Sequence, residues 1–104
     1  MGMFLVQILL PLRDMAGDAF PASHYVGVRE ELTERFGGLT AYSRAPAEGL
    51  WDDPQDRRQR DDIVIYEVMV ADLDRAWWSD FRRRLESQFE QQELVIRSQE
   101  IERL

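Results

Sequence analysis

The chain has no cysteine. Disulfides, thiolate metal sites and cysteine nucleophiles are therefore excluded from its chemistry. A single histidine, His24, stands alone, and the acidic pairs Asp52-Asp53 and Asp61-Asp62 lack the alternating spacing of a calcium loop, so no metal is expected. No apolar run approaches the roughly 18 residues of a membrane helix. The opening MGMFLVQILLPL lacks the basic leader and small-residue cleavage site of a secretory signal, and Gln7 interrupts it. Val6 stands where a myristoylation pattern wants Ser or Thr. The expectation is a cytoplasmic protein with no membrane partner. No G-x-S-x-G, phosphate loop, dinucleotide fingerprint or zinc-protease helix occurs, so no cofactor is expected. Positive charge is also scarce: 13 bases against 20 acids give a net charge of -7, whose field repels a phosphate backbone. The arginine runs RRQR at 57–60 and RRR at 82–84 lie close to acids and read as solvated surface, so nucleic acid is not an expected partner.

What is present describes one ordinary folded domain over residues 1–104, with 44% hydrophobic and 32% charged residues. Residues 3–10 are apolar at nearly every position, which suits a strand buried on both faces. Tyr25, Val28, Leu32 and Phe36 form one stripe of a helix over 23–36, with Ser23 as its N-cap, Glu30, Glu31 and Glu34 on the far side and Gly37 as its stop. LTAYSR, 39–44, follows as a short strand, so Gly37-Gly38 ends a helix and does not cradle a phosphate. A long excursion over 45–62 precedes IVIYEVMV, 63–70, the clearest strand in the chain. Asp72 or Asp74 caps a second helix that carries Trp77, Trp78, Phe81, Leu85 and Phe89 on one face, and this aromatic stripe reads as core more readily than as a ligand wall. ELVIRSQEI, 93–101, closes the series as a fourth strand.

The order β-α-β-β-α-β resembles the α+β ferredoxin-like fold, a four-stranded antiparallel sheet in the order 4-1-3-2 with both helices on one face. The run FGGLTAY, GLW and DDIVIYEV, with the WW-bearing second helix and the closing QQELVIR, is similar to small bacterial proteins of the dimeric α+β-barrel type. That resemblance implies a shape, since the fold hosts many unrelated functions.

In such a sheet one face is left without helices. If Phe4, Val6, Ile8 and Leu10 face the helices with Val64, Tyr66, Val68 and Val70, the bare face receives Leu5, Leu9, Ile63, Ile65 and Met69. A patch this apolar marks an interface, so a homodimer through the bare face is expected. Gln7 and Glu67 interrupt the patch on the two central strands, with Tyr42, Arg44, Arg97 and Gln99 available from the edges. A buried carboxylate demands a partner, and the expected one is Arg44 or Arg97. The alternative is a general base in an apolar cavity.

The first and second strands run toward the same end of the sheet, so the loop at 11–22 and the excursion at 45–62 share a rim and frame a pocket mouth. His24 starts the first helix on that rim, where the helix dipole favours a neutral imidazole. Trp51 either pins the excursion or lines the mouth. The functional expectation is a small dimeric module that binds a ligand or another protein, with Tyr25, Trp51 and Gln7 as candidate ligand contacts. The alternative, implied by the α+β-barrel resemblance, is a cofactor-independent monooxygenase- or isomerase-like enzyme acting on an apolar or aromatic molecule. His24, Glu67 and Tyr42 would then be its candidate catalytic groups. RNA binding through the sheet is disfavoured, because the strands lack the exposed aromatic pair and basic setting it uses.

Overall fold

A computed structural model of the chain describes residues 2–44 and 63–104, with Arg44 described for its backbone alone. The excursion at 45–62, and Trp51 with it, lie outside the described residues, as does the side chain of Arg44. The described elements run β1 (Met3–Pro11), α1 (Ala22–Phe36), β2 (Thr40–Arg44), β3 (Ile63–Val70), α2 (Arg75–Gln88) and β4 (Ile96–Ile101). They form one antiparallel sheet in the order β2-β3-β1-β4, the ferredoxin-like arrangement that the element order implies. No described helix is long and apolar enough to cross a membrane.

The alternation of β1 and β3 assigns the two faces. Register pairs run from Phe4 opposite Val70 to Pro11 opposite Ile63, and directly opposed residues share a face. Val6, Ile8, Leu10, Tyr66, Val68 and Val70 are buried against Val28 and Leu32 of α1 and Trp78, Phe81 and Leu85 of α2. Both helices therefore cover one face, and Leu5, Gln7, Leu9, Ile65, Glu67 and Met69 lie on the other. The aromatic stripe of α2 is core: Trp78 stacks on Phe36 with centroids 5.2 Å apart, and Phe81 lies 4.9 Å from Trp77. Half-buried Trp77 is closed off on its outer side by the Arg35 guanidinium, 4.3 Å above its ring.

The helix ends differ in how they are made. Asp74, the second of the two candidate caps, accepts a hydrogen bond from Trp77 N at 3.1 Å. Ser23 caps nothing, because α1 begins one residue earlier: Pro21, at φ -56°, precedes Ala22, and no side chain caps the end. Proline's fixed φ serves where a capping hydroxyl was expected. Gly37 ends α1 at φ 85°, a conformation that costs glycine little, and its N–H returns to Thr33 O. Glu31 does not simply face water, since it takes a two-point ion pair from Arg84 of α2 at 2.8 and 3.1 Å. The fourth strand starts at Ile96 rather than 93. Leu94 N donates to Glu86 Oε2 on α2 and its side chain is buried, so Leu94 belongs to the helix layer, while Val95 O already accepts from Leu9 N of β1.

Phe81 has no exposed surface and touches both tryptophans, so Phe81→Ala is expected to cost about 3–5 kcal/mol in urea unfolding. A loss below about 1 kcal/mol would mean that α2 does not hold the core as described.

Candidate functional site

The polar side chains of the helix-free face come together through strand register. Gln7 of β1 lies opposite Glu67 of β3 on one side and Arg97 of β4 on the other. Tyr42 of β2 lies opposite Ile65, one pleat along from Glu67. The result is a hydrogen-bonded line across all four strands. Arg97 Nε donates to Gln7 Oε1 at 2.7 Å, Gln7 Nε2 donates to Glu67 Oε2 at 2.5 Å and to Tyr42 Oη at 3.1 Å, and Tyr42 donates its proton to Glu67 Oε2 at 2.9 Å.

The orientation of the Gln7 amide follows from its neighbours. A guanidinium has only donors and a carboxylate only acceptors, so the oxygen must face Arg97 and the nitrogen Glu67. Gln7 thus joins a cation to an anion that do not meet. Arg97 does not neutralise Glu67 as expected, and Glu67 takes part in none of the ion pairs among the described residues. The reason is spacing: β4 and β3 flank β1 on opposite sides, so their side chains stand two strand spacings apart, about 9.6 Å. Glu67 Oε1 and both terminal nitrogens of Arg97 have no hydrogen-bond partner among the described residues.

The apolar surroundings are unevenly open. Met69 is 49% exposed, Leu5, Leu9 and Ile63 are half-buried, and Ile65 is only 2% exposed. All five expected residues lie on the helix-free face, but Ile65 is not bare. Ile65 sits on an interior strand with Leu9 on one side and Tyr42 on the other, and it is shielded within the single chain. The open apolar surface is the Leu5–Met69 end of the face.

The remaining candidates lie elsewhere. His24 and Tyr25, on the helix side of the sheet, pack around Phe89 with ring centroids at 5.5 and 5.3 Å. His24 also lies 6.0 Å from Phe20, in an aromatic cluster at the end of the core. The sheet therefore separates His24 from Glu67 and Tyr42, while Gln7, Glu67 and Tyr42 form one site. Tyr25 donates to Pro11 O at 2.6 Å and helps to line a cleft of about 240 Å³ between α1 and β3, with Val26, Arg29, Val64 and Tyr66. Arg29 donates to the Tyr66 hydroxyl at 3.0 Å there. That pairing had no sequence signal beyond the place of Arg29 one residue past the buried stripe.

Pro11 and Arg44 both meet Ile63 in the register, so the loop after β1 and the two ends of the excursion leave from one rim. The loop is not an open lip. Arg13 bridges Ala19, Asp14 and Asp18 exchange backbone and side-chain hydrogen bonds at 2.8 and 2.9 Å, and Gly17 turns at φ 90°. Buried Phe20 anchors its end.

No protein-family model, curated protein or solved structure is significantly similar to the chain. What the site can do follows from its own chemistry. The hydrogen bond to Glu67 raises the Tyr42 phenol above its ordinary 10.0, with burial and the Glu67 charge adding to it. Tyr42 therefore remains a protonated donor throughout the neutral range. Burial, with Tyr66 beside it, raises Tyr25 as well.

Because the folded value of Tyr42 is raised, its hydrogen bond stabilises the fold in full below the unfolded pKa near 10, and that contribution is lost as pH rises through the folded value. Ultraviolet titration of phenolate is expected to show Tyr42 ionising above 10, and Glu67→Ala is expected to lower it. An unmoved Tyr42 titration in Glu67→Ala would remove the hydrogen bond as the cause.

Proposed function

We propose that the chain is a homodimeric binding module for a small apolar or aromatic molecule, with the helix-free sheet face serving as subunit contact and as wall of the binding space. One observation carries the reading: a half-buried apolar face holds a single polar line, Arg97–Gln7–Glu67–Tyr42, in which Arg97 and Glu67 keep hydrogen-bonding atoms without partners among the described residues. An apolar wall with a few convergent polar groups is the usual make-up of a small-molecule site. A ligand of this class would lay its apolar body against Met69, at the open end of the face, and donate a hydrogen bond to one lone pair of Glu67 Oε1. The resemblance to dimeric α+β-barrel proteins points the same way.

A second reading, a cofactor-independent enzyme of monooxygenase or isomerase type, draws on the same free Oε1. A carboxylate beside a phenol that keeps its proton supplies a base and a donor within one apolar frame. His24, across the sheet, stands outside that pair.

Sedimentation velocity is expected to give a dimer for the unaltered chain and a monomer for Met69→Asp, a position half exposed in the single chain, where Asp costs the strand about 1 kcal/mol. Naphthol, an aromatic with one hydroxyl, is expected to bind the unaltered protein and to lose about tenfold or more in affinity to Glu67→Ala. Glu67→Gln separates the two readings. Its one carbonyl oxygen goes to Gln7 and Tyr42 and its amide N–H stands where Oε1 was, so naphthol still binds with its hydroxyl oxygen as acceptor, but there is no basic carboxylate, so turnover would vanish. A monodisperse monomer at high concentration that ignores naphthol would overturn the proposal.

A further inference from the structure

We infer that a second copy of the chain covers the open face about a two-fold axis lying along β1, so that Arg97 of each protomer pairs with Glu67 of its partner. The inference rests on the homodimer reading and adds the axis and the contacts that complete the polar line, the partner guanidinium taking one lone pair of Glu67 Oε1 and leaving the other to a ligand.

Three observations lead to it. The first is charge. In a chain of net charge -7, the charged side chains described on this face are one carboxylate, Glu67, and one guanidinium, Arg97, and the register puts Arg44 on the same face. The face lacks the acidic excess of the chain as a whole, so a copy can meet it without the repulsion that the rest of the surface would impose.

The second is arrangement. Arg97, Gln7 and Glu67 occupy one row of the register, with Gln7 in the middle and the charges about one strand spacing, roughly 4.8 Å, to either side. A two-fold axis along β1 exchanges the two sides. It lays each Arg97 over the partner's Glu67 and brings Leu5, Gln7 and Leu9 each onto its own copy. A two-fold axis across the strands would instead set Arg97 on Arg97 and Glu67 on Glu67. When the strands of the two sheets are aligned, isologous contact leaves these two in-plane choices, and like charges at the centre of an interface cost several kcal/mol. Aligned sheet packing tilts the strands by about 30°, which leaves the central row opposed to its copy.

The third is unspent valence. Arg97 commits Nε to Gln7 and keeps both terminal nitrogens free among the described residues, while Glu67 commits Oε2 and keeps Oε1 free. The bond missing inside one chain, between a cation and an anion held apart by Gln7, is the bond that the two-fold axis supplies. Packed sheets lie about 10 Å apart, within the combined reach of an arginine and a glutamate.

The test is complementation between two chains. Glu67→Arg carries two guanidinium groups in the row and Arg97→Glu two carboxylates, so each homodimer sets like charges together. Each variant alone is expected to sediment as a folded monomer by far-ultraviolet circular dichroism, with a dimer dissociation constant raised about 100-fold or more. An equimolar mixture is expected to give heterodimers in native mass spectrometry, because both cross-contacts then join an arginine to a glutamate. Neither chain regains its own internal line in the mixture, so heterodimers can arise only from pairing between chains. If the unaltered protein is a dimer but the mixture yields no heterodimer, or if either variant alone stays dimeric, the cross-pairing is overturned and the homodimer reading stands. If the unaltered protein is a monomer at high concentration, both fall. A variant that fails to fold is replaced by the milder pair Glu67→Gln and Arg97→Gln, each expected to weaken the dimer. Unchanged dissociation constants in that pair would overturn the inference.

Discussion

β1 and β3 are each apolar on both faces and lie side by side at the centre of the sheet, a constraint on which the rest of the architecture turns. Side chains alternate along a strand, so two helices can dry only one side of such a pair. The helix side is filled by the aromatic stripe of α2 and the narrower stripe of α1, and together they make a continuous core. The other side has no layer of its own among the described residues. Its polar line is consequently the feature that keeps the face from being uniformly greasy.

That line is costly to place there and stable once made. A half-buried carboxylate loses part of its hydration, and each of its hydrogen bonds offsets some of the loss. Glu67 receives two, from Gln7 and Tyr42, both converging on one oxygen. Among the described residues the charge is therefore solvated by dipoles, with the nearest described cation, Arg97, one residue further away. Such a carboxylate can take another donor on its open oxygen, from a ligand or from a second chain. A directly salt-bridged glutamate would have offered much less to either.

Much of this was legible in the sequence because it depends on period. The apolar runs of β1 and β3, the spacing of Tyr25, Val28, Leu32 and Phe36, and the Trp77-to-Phe89 stripe specify which surfaces must be buried, and element order then leaves few ways to stack them. The same alternation put Gln7 and Glu67 together on the helix-free face. What the sequence concealed depends on single contacts. Nothing local announces that Glu86 will reach Leu94 and delay β4, or that Pro21 will replace Ser23 at the head of α1. The end of α2 has no glycine. Glu90 takes φ 51° there, and Gln91 N bonds back to Glu86 O, a turn that usually asks for a residue without a side chain.

The site was half legible for a related reason. Which residues share a face is a matter of parity, but which of them touch depends on register across strands far apart in sequence. Arg97 pairs with Gln7 only because β4 adds beside β1 and not beside β3, and that order sets two strand spacings between the guanidinium and Glu67. The order also separates His24 from Glu67. The first helix crosses behind the sheet, so a residue at its start, near the rim in sequence terms, lies on the side away from the polar line. Sheet order thus decides both which acid-base pairs can form within one chain and which must wait for another molecule.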